Sequence, residues 1–289
     1  MQKKIWKPCI IALLSYSLLL CGCISDKPPS PESDSIAIEP PYLPSTETSP
    51  LTSETLPNIP VEQPQSWDVS DVSLSDVDPS RKLISFTFDD APSRTLENIL
   101  AVFATFNDEN PKCKASATIF ANGNRFDHTT PLLLSTAYSM GFELGNHTYA
   151  HRDLTTLNEM ELLEEIQKTD RLLSNIDGKS QHLLRAPFGK TNELVKNIAP
   201  VPLIDWTIDT LDWTGISADD IYHAVYDNRF SGAIVLMHDG YKNSVEAVKR
   251  LLPDLKEDGY QVVSVSMLAK AHNCVLERGK IYIRARKRA

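Results

Sequence analysis

The sequence predicts an α/β domain built on a mainly parallel sheet, beginning near residue 80. Short apolar runs alternate there with amphipathic helical segments, and each run has the length and the content of buried strands. Such alternation is typical of βα units, whose strands lie parallel. The strand candidates are residues 83–88, 115–121, 142–145, 182–184, 202–207, 233–237 and 261–265.

Helical patterns lie between these strands, over residues 95–106, 159–176, 218–226 and 245–257. Asn158 directly precedes the second pattern, and Glu161 lies three residues after Asn158, which is the arrangement of a capping box. Gly178 and Gly259 stand where helices should end, because glycine readily adopts the left-handed conformation that closes a helix. One single-core domain accounts for this part of the chain.

The start of the chain is typical of a secretory signal. Lysines precede an apolar stretch over residues 10–20, which is short for a membrane span. Residues 20–23 read LCGC, which resembles the lipobox of bacterial lipoproteins. The resemblance implies that residues 1–22 are removed and that Cys23 carries a lipid. An uncleaved anchor helix is the alternative, and either arrangement holds the domain outside the cytoplasm and attached to a membrane.

Residues 23–79 are predicted to be the lipidated N-terminus and a spacer. Ten of the nineteen prolines fall between residues 27 and 65, among serine, threonine and glutamate. Such a segment buries too little apolar surface to offset its ordering entropy, and it forms a semi-rigid linker. A linker of this kind suits a target in the cell envelope.

Net charge, cysteine content and the basic C-terminal residues bear on the binding partners and cross-links of the chain. The net charge of −9 gives no indication of nucleic-acid binding. Within the domain, Cys113 and Cys274 are equally consistent with a disulfide and with two buried free thiols. We interpret residues 276–289, which carry six basic residues, as a solvated tail rather than as a contact to anionic polymer or lipid.

Ionisable residues follow five of the predicted strands. They are Asp89 and Asp90, His147, Arg185, Asp209 and Asp212, and His238 with Asp239. In barrels of βα units the carboxyl ends of the strands meet at one rim, where active sites lie. A single strand-end aspartate is commonly a helix cap and a single histidine a satisfied core residue, so the prediction depends on the whole set.

The first and third strand ends predict a metal site. His147 and His151 are four residues apart and can face one point. With one carboxylate of the pair Asp89 and Asp90, they supply three ligands and leave a position open for water. The other carboxylate is then free to take a proton from that water, which outlines a hydrolytic site.

Five short segments stand in a distinctive order. They are TFDDA at 87–91, HTYAH at 147–151, RAPFG at 185–189, DTLDW at 209–213 and LMH at 236–238. These segments resemble the motifs of the NodB-type polysaccharide deacetylases, carbohydrate esterase family 4, and the similarity covers nearly the whole domain. It implies a distorted (β/α)7–8 barrel over residues 80–275, a divalent metal ion, and removal of N-acetyl, or sometimes O-acetyl, groups from polysaccharides.

The resemblance implies roles for the matching residues of the metal site. Asp90, His147 and His151 would bind the metal ion. Zinc is the ion expected, and cobalt, nickel, manganese and iron remain open because two imidazoles and one carboxylate do not select among them. Asp89 would be the general base, kept ionised and oriented by Arg185.

The remaining roles follow from the later motifs. His238 would be the general acid that protonates the leaving amine, oriented by Asp212, with Asp209 as the second choice. The backbone N–H of Phe188 would help to bind the oxyanion. Trp213 and Leu236 would line a pocket for the acetyl methyl group.

Two positions depart from the family pattern. Ala91 stands where the family usually has glycine, and a requirement for positive φ there would strain an alanine. Phe188 replaces the more usual tyrosine, although only its backbone is assigned a role.

The sequence therefore predicts a lipid-anchored, metal-dependent deacetylase that acts on an N-acetylated glycan, with the N-acetylglucosamine of peptidoglycan favoured. An O-acetyl esterase acting on xylan or an envelope polymer is one alternative. A non-catalytic glycan-binding lipoprotein that retains the fold is another. We predict no protein partner and no nucleic-acid partner.

Overall fold

A computed structural model describes residues 66–286, which form an α/β domain. The strands are β1 (Lys82–Ala91), β2 (Thr118–Ala121), β3 (Glu143–Asn146), β4 (Leu203–Ile204), β5 (Ile208–Asp209), β6 (Ile234–His238), β7 (Tyr260–Val263) and β8 (Ile281–Tyr282). The helices are α1 (Leu96–Glu109), α2 (Thr130–Ser139), α3 (Glu159–Asp177), α4 (Glu193–Ile198), α5 (Ala218–Tyr226), α6 (Lys242–Glu257) and α7 (Val265–Ala271).

The strands pair in parallel around a central β1. Its first half pairs with β7 and its second half with β2, while β6 lies along it from Ser85 to Asp89. Isolated bridges through Leu184 connect β3 to β4, so that the strands follow the order β5, β6, β1, β2, β3 and β4. Ile84, Phe86 and Phe88 of β1 are fully buried in one core cluster with α1 and α6, as expected for a strand covered by crossover helices.

The predicted α/β class is confirmed, while several of the strands are shorter than the apolar runs that predicted them. The run over 202–207 contains only the two residues of β4, because β5 begins after it at Ile208, and the run over 182–184 contributes a bridge at Leu184 alone. The last run ends early because Ser264 accepts a hydrogen bond from the N–H of Met267, which caps α7 and starts a helix at Val265.

Local sequence signals predicted the bounds of the long helices more accurately than those of the short strands. The capping box of Asn158 and Glu161 is present, and Gly178 ends α3 with a φ of 77°. Gly259 follows α6 with a φ of 78°. These caps were predictable because each depends on residues within one helical turn.

Both ends of the domain extend beyond the predicted limits of 80 and 275. The N–H of Trp67 donates to the carbonyl of Leu276, and β8 pairs with β4. Leu276 and Ala285 are buried in the core, so residues 276–286 are part of the fold and not a solvated tail. Burial of these two apolar side chains stabilises residues 276–286 against the domain, which explains why the fold continues past residue 275.

Cys113 and Cys274 are both free thiols. Among residues 66–286, no helix has the length and apolar character needed to cross a bilayer. Cys23, the predicted signal and most of the predicted spacer lie outside the described residues.

Candidate active site

The predicted ionisable residues meet at the carboxyl ends of the central strands. In the register of β1 and β6, Asp89 lies directly opposite His238. Adjacent strands are about 4.8 Å apart, so residues that are distant in the sequence become neighbours at this rim. The structure thus places a carboxylate and an imidazole side by side, with the two histidines of the third strand end close to them.

Asp90, His147 and His151 form a cluster of metal-ligating atoms. One such atom from each residue lies within 4.8 Å of the others. Asp90 Oδ1 is 3.6 Å from His151 Nε2 and 3.9 Å from His147 Nε2. Ligands of a tetrahedral zinc ion with bonds near 2.0–2.1 Å are about 3.4 Å apart, so small movements would bring these atoms onto one ion.

Hydrogen bonding at the cluster fits a divalent cation. Asp90 Oδ1 is buried and has no hydrogen-bond partner among the described residues. Such an oxygen is costly to bury unless a cation satisfies it. His147 Nδ1 lies 2.8 Å from the carbonyl of Arg185, which leaves Nε2 free to face the cluster, as is usual for a ligating histidine.

The protonation of His151 also favours metal binding. Burial lowers the pKa of His151, and the neighbouring His147 lowers it further, although the carboxylates of Asp90 and Asp89 oppose the shift. His151 is therefore neutral near pH 7, and a neutral imidazole is the form that donates to a metal ion.

Left-handed backbone conformations are concentrated around the cluster. Among residues 66–286 six non-glycine residues have positive φ, and five of them belong to the candidate site: Asp90, Thr148, His151, Phe188 and Leu211. Strained residues of this kind persist where the surrounding structure holds them, and they are common at functional sites. The left-handed residue in the first motif is Asp90, with φ 66°, so the alanine at position 91 is not strained in that way.

Side chains outside the predicted set hold the loop that carries the two histidines. Asn146 Oδ1 accepts from the N–H of Thr148, and Glu165 Oε2 accepts from the N–H of Ala150, both at 2.8 Å. Asn122 donates to the carbonyl of His147. The sequence analysis missed these residues, although a glutamate on the apolar face of α3 was a usable signal.

Asp89 is held by a buried arginine. Arg185 Nη1 donates to Asp89 Oδ1 at 2.7 Å, and the arginine is fully buried. Its Nη1 also donates to Thr87 Oγ1 and its Nε to the carbonyl of Ile204, so the guanidinium has little freedom to turn. The other oxygen, Asp89 Oδ2, lies 3.6 Å from His147 Nε2 and so points toward the cluster.

His238 is oriented by Asp212. His238 Nδ1 lies 2.7 Å from Asp212 Oδ1, while Asp212 Oδ2 accepts from the backbone N–H of His238 and from Ser244 Oγ. Burial lowers the pKa of His238, but the hydrogen bond to Asp212 and the charges of Asp89 and Asp212 outweigh burial and raise it. His238 is therefore suited to carry a proton near neutral pH.

Asp209 points elsewhere. Its side chain is exposed, and Oδ1 accepts from the N–H of Leu211, two residues along the chain. The two aspartates of this motif thus differ in position: Asp212 contacts His238, and Asp209 forms a local turn. The structure favours the first of the two predicted choices.

The predicted substrate-binding residues lie along the same rim. Phe188 and Trp213 are both more than half exposed, which leaves their rings available to a ligand. The ring of Phe188 packs edge-on against His151. Leu236 is buried in β6, two residues before His238, and its side chain therefore faces the same side of the sheet.

An α/β fold with a two-histidine, one-carboxylate cluster beside a base and an acid defines a class of hydrolytic domain. The sequence profile of the polysaccharide deacetylase family matches residues 76–200. A peptidoglycan-N-acetylglucosamine deacetylase of Bacillus cereus is 32% identical over 200 residues, which are 66% of this chain and 90% of that protein. The chain belongs to the polysaccharide deacetylase family.

Two further comparisons concern one relative. The peptidoglycan-N-acetylmuramic acid deacetylase PdaC of Bacillus subtilis is 32% identical over 192 residues, 66% of this chain and 40% of that protein. The chain thus spans less than half the length of this relative. The solved structure of PdaC matches with a TM-score of 0.62 and 31% identity, over 68% of this chain and 94% of that chain. This match confirms the predicted NodB-type fold.

Proposed function

We propose that this protein is a metal-dependent hydrolase that removes N-acetyl groups from a cell-envelope polysaccharide, with peptidoglycan N-acetylglucosamine as the favoured target. One observation carries the proposal: Asp89 and His238 lie opposite each other on adjacent strands, beside a cluster suited to a divalent cation. Family membership supports the reaction class, and the names of the relatives support a peptidoglycan substrate.

Asp90, His147 and His151 would hold the ion, with zinc expected. Bound there, a divalent ion would supply Lewis acidity, polarising the acetyl carbonyl and lowering the pKa of a water molecule. The unpartnered Asp90 Oδ1 and the inward-facing His147 Nε2 support this assignment.

Asp89 acts as the general base in this proposal. Its Oδ1 is occupied by Arg185, so Oδ2 is the atom that accepts a proton from the attacking water. His238 acts as the general acid and gives its proton to the amide nitrogen as the carbon–nitrogen bond breaks, with Asp212 holding the ring. Water and the acetamide are thereby converted to acetate and a free amine.

Three residues would bind the acetylated sugar. The backbone N–H of Phe188 would donate to the developing oxyanion. Trp213 and Leu236 would line the pocket for the acetyl methyl group, since one is an exposed ring and the other lies beneath the rim.

We also propose that the chain is lipidated at Cys23 and acts outside the cytoplasm, tethered to a membrane. The lipobox-like segment and the proline-rich residues that follow it support this location. Cells that express the full chain should incorporate labelled palmitate into it and retain it in the membrane fraction. A Cys23→Ala variant that stays equally membrane-bound and labelled would contradict lipidation at this residue.

Acetate release by the purified full-length chain with added zinc tests the activity. Peptidoglycan and N-acetylglucosamine oligomers should both release acetate, and an Asp89→Asn variant should not. Release from acetylxylan alone would instead identify an O-acetyl esterase. Absence of release from every glycan, with zinc shown to be bound, would leave a glycan-binding protein.

A further inference from the structure

Arg125 lies beside the candidate metal cluster on a braced turn. It ends a short 3₁₀ turn, Gly123–Arg125, that follows β2. The N–H of Gly123 donates to the carbonyl of Thr148, and that of Asn124 to the carbonyl of Tyr149, so the turn is tied to the loop that carries the two histidines. Arg125 Nη1 donates to the backbone carbonyl of Asp90 at 2.8 Å. These contacts fix the guanidinium at the rim.

The charge of Arg125 is only loosely balanced. Its Nη2 is 3.7 Å from Asp90 Oδ1, too far for a hydrogen bond, and the side chain is 43% exposed. Asp89 and Asp212 are each closely paired, with Arg185 and His238. The Asp90 carboxylate is a candidate metal ligand, so its charge is shared. Arg125 therefore retains donors and positive charge that face solvent.

Open space adjoins this guanidinium. A cavity of about 340 Å³ is lined by Arg125 and by Arg94, Glu97, Asp127 and Thr130, among others. Its charges are mixed, and the Asp127 carboxylate already accepts from Thr130. Selectivity in this cavity would therefore come from the placement of individual groups and not from a general positive field.

An arginine with free donors recognises carboxylates through its fixed positive charge and a charge-assisted hydrogen bond. Peptidoglycan differs from chitin in this respect, because its muramic acid residues carry an ether on the ring carbon next to the acetamido group, and this ether ends in a free carboxylate wherever the stem peptide has been removed. We propose that Arg125 is a specificity-determining residue that selects carboxylate-bearing acetylated glycans over neutral ones. The proposal rests on the proposed deacetylase function and names the class of substrate that the site prefers.

The test compares peptide-free peptidoglycan oligomers with chitin oligomers of equal length. In the full chain, Arg125→Gln should lower the ratio of the two kcat/KM values by about tenfold, the effect of losing one charge-assisted hydrogen bond. It should also reduce the salt dependence of the reaction with the anionic oligomer. Arg125→Lys, which keeps the charge, should preserve most of the ratio.

Arg152→Gln is the matched control. Arg152 follows His151 directly, but its charge is paired with Glu161 at 3.3 Å, so the ratio should stay within twofold of the unmodified chain. An unchanged ratio in Arg125→Gln would overturn the proposal. A fall in Arg125→Lys as large as in Arg125→Gln would also overturn it, because the side chain would then act through its bond to the Asp90 carbonyl.

Binding separates this proposal from the proposed function. Calorimetry on the metal-depleted chain should show tighter binding of the anionic oligomer than of the chitin oligomer, with the difference lost in Arg125→Gln. This result would stand even if no glycan released acetate, in which case the deacetylase function alone would fail. Equal binding of the two oligomers by the unmodified chain would contradict the role of Arg125.

Discussion

Two neighbouring aspartates at the end of β1 each face an arginine, and the two pairs differ in almost every respect. Asp89 lies 2.7 Å from Arg185, and both side chains are buried. Asp90 lies 3.7 Å from Arg125, with 23% of the aspartate side chain and 43% of the arginine side chain exposed. Two consecutive residues of β1 thus form one tightly held ion pair and one loose ion pair.

The difference between the two ion pairs follows from the backbone conformation at the end of β1. Successive residues of a strand point to opposite sides, and the left-handed conformation of Asp90 turns its carboxylate further, toward the two histidines. The buried pair holds Asp89 in one orientation, because neither partner can reorient without leaving a charge unpaired. The loose pair leaves Asp90 Oδ1 free for a cation and Arg125 free for a ligand.

Replacing Asp89 should have the largest effect on catalysis. Asp89→Asn removes the proposed base while keeping its shape, and kcat should fall by about 10³-fold. Zinc affinity, measured by competition with a chromophoric chelator, should change little because Asp89 is not among the candidate ligands. A variant that keeps a tenth of the activity would show that another group accepts the proton.

Replacing Asp90 should distinguish its proposed role in zinc binding from the proposed role of Asp89 as a base. Asp90→Asn removes a charged ligand, and zinc affinity should fall by at least about 10-fold in the same chelator assay. Arg125→Gln should leave zinc affinity unchanged or slightly higher, because it removes a positive charge from the surroundings. Equal zinc affinity in Asp90→Asn and the unmodified chain would contradict the assignment of this ligand.

The pH dependence of kcat tests the assignment of His238 as the general acid. His238 must be protonated to act as an acid, so activity should fall as the pH rises through its pKa. Asp212→Asn removes the hydrogen bond and charge that raise this pKa, and burial then lowers it, so the alkaline limb of the kcat profile should move to lower pH. An unmoved limb would mean that His238 is not the group observed.

Asp209→Asn should have the smallest effect. Its carboxylate is exposed and bonds to the N–H of Leu211, so kcat should change by less than about threefold, as for other exposed polar substitutions. The same substitution at position 212 provides the matched comparison. A loss at Asp209 as large as at Asp212 would mean that the two aspartates exchange places when substrate binds.

The sequence predicted most of the parallel fold and which strand ends carry the site. Local periodicity identified β1 and the long helices, and the spacing of His147 and His151 predicted two candidate metal ligands on one loop. The ends of the short strands β4 and β5 were not predictable, because residues 205–207 between them carry no local turn signal. The buried end of the chain was missed because its basic residues mask two core positions, Leu276 and Ala285.

The supporting contacts of the site were the least predictable part. The choice between Asp209 and Asp212 depends on where β6 lies, and the proposed role of Arg125 depends on its bond to the carbonyl of Asp90 in β1. Such contacts join residues that are distant in the sequence, and no periodicity records them. Glu165 is an exception, since a carboxylate on an apolar helix face requires a buried donor.

Acetate release as a function of bound zinc tests whether the candidate site catalyses metal-dependent deacetylation. The full-length chain is stripped with a chelator, titrated with zinc and incubated with peptidoglycan. We expect no release from the stripped chain and a rate that saturates at one zinc per chain, with no comparable rise in Asp89→Asn. Equal release in the presence of the chelator, or none from the zinc-loaded chain, would show that the protein is not a zinc-dependent deacetylase.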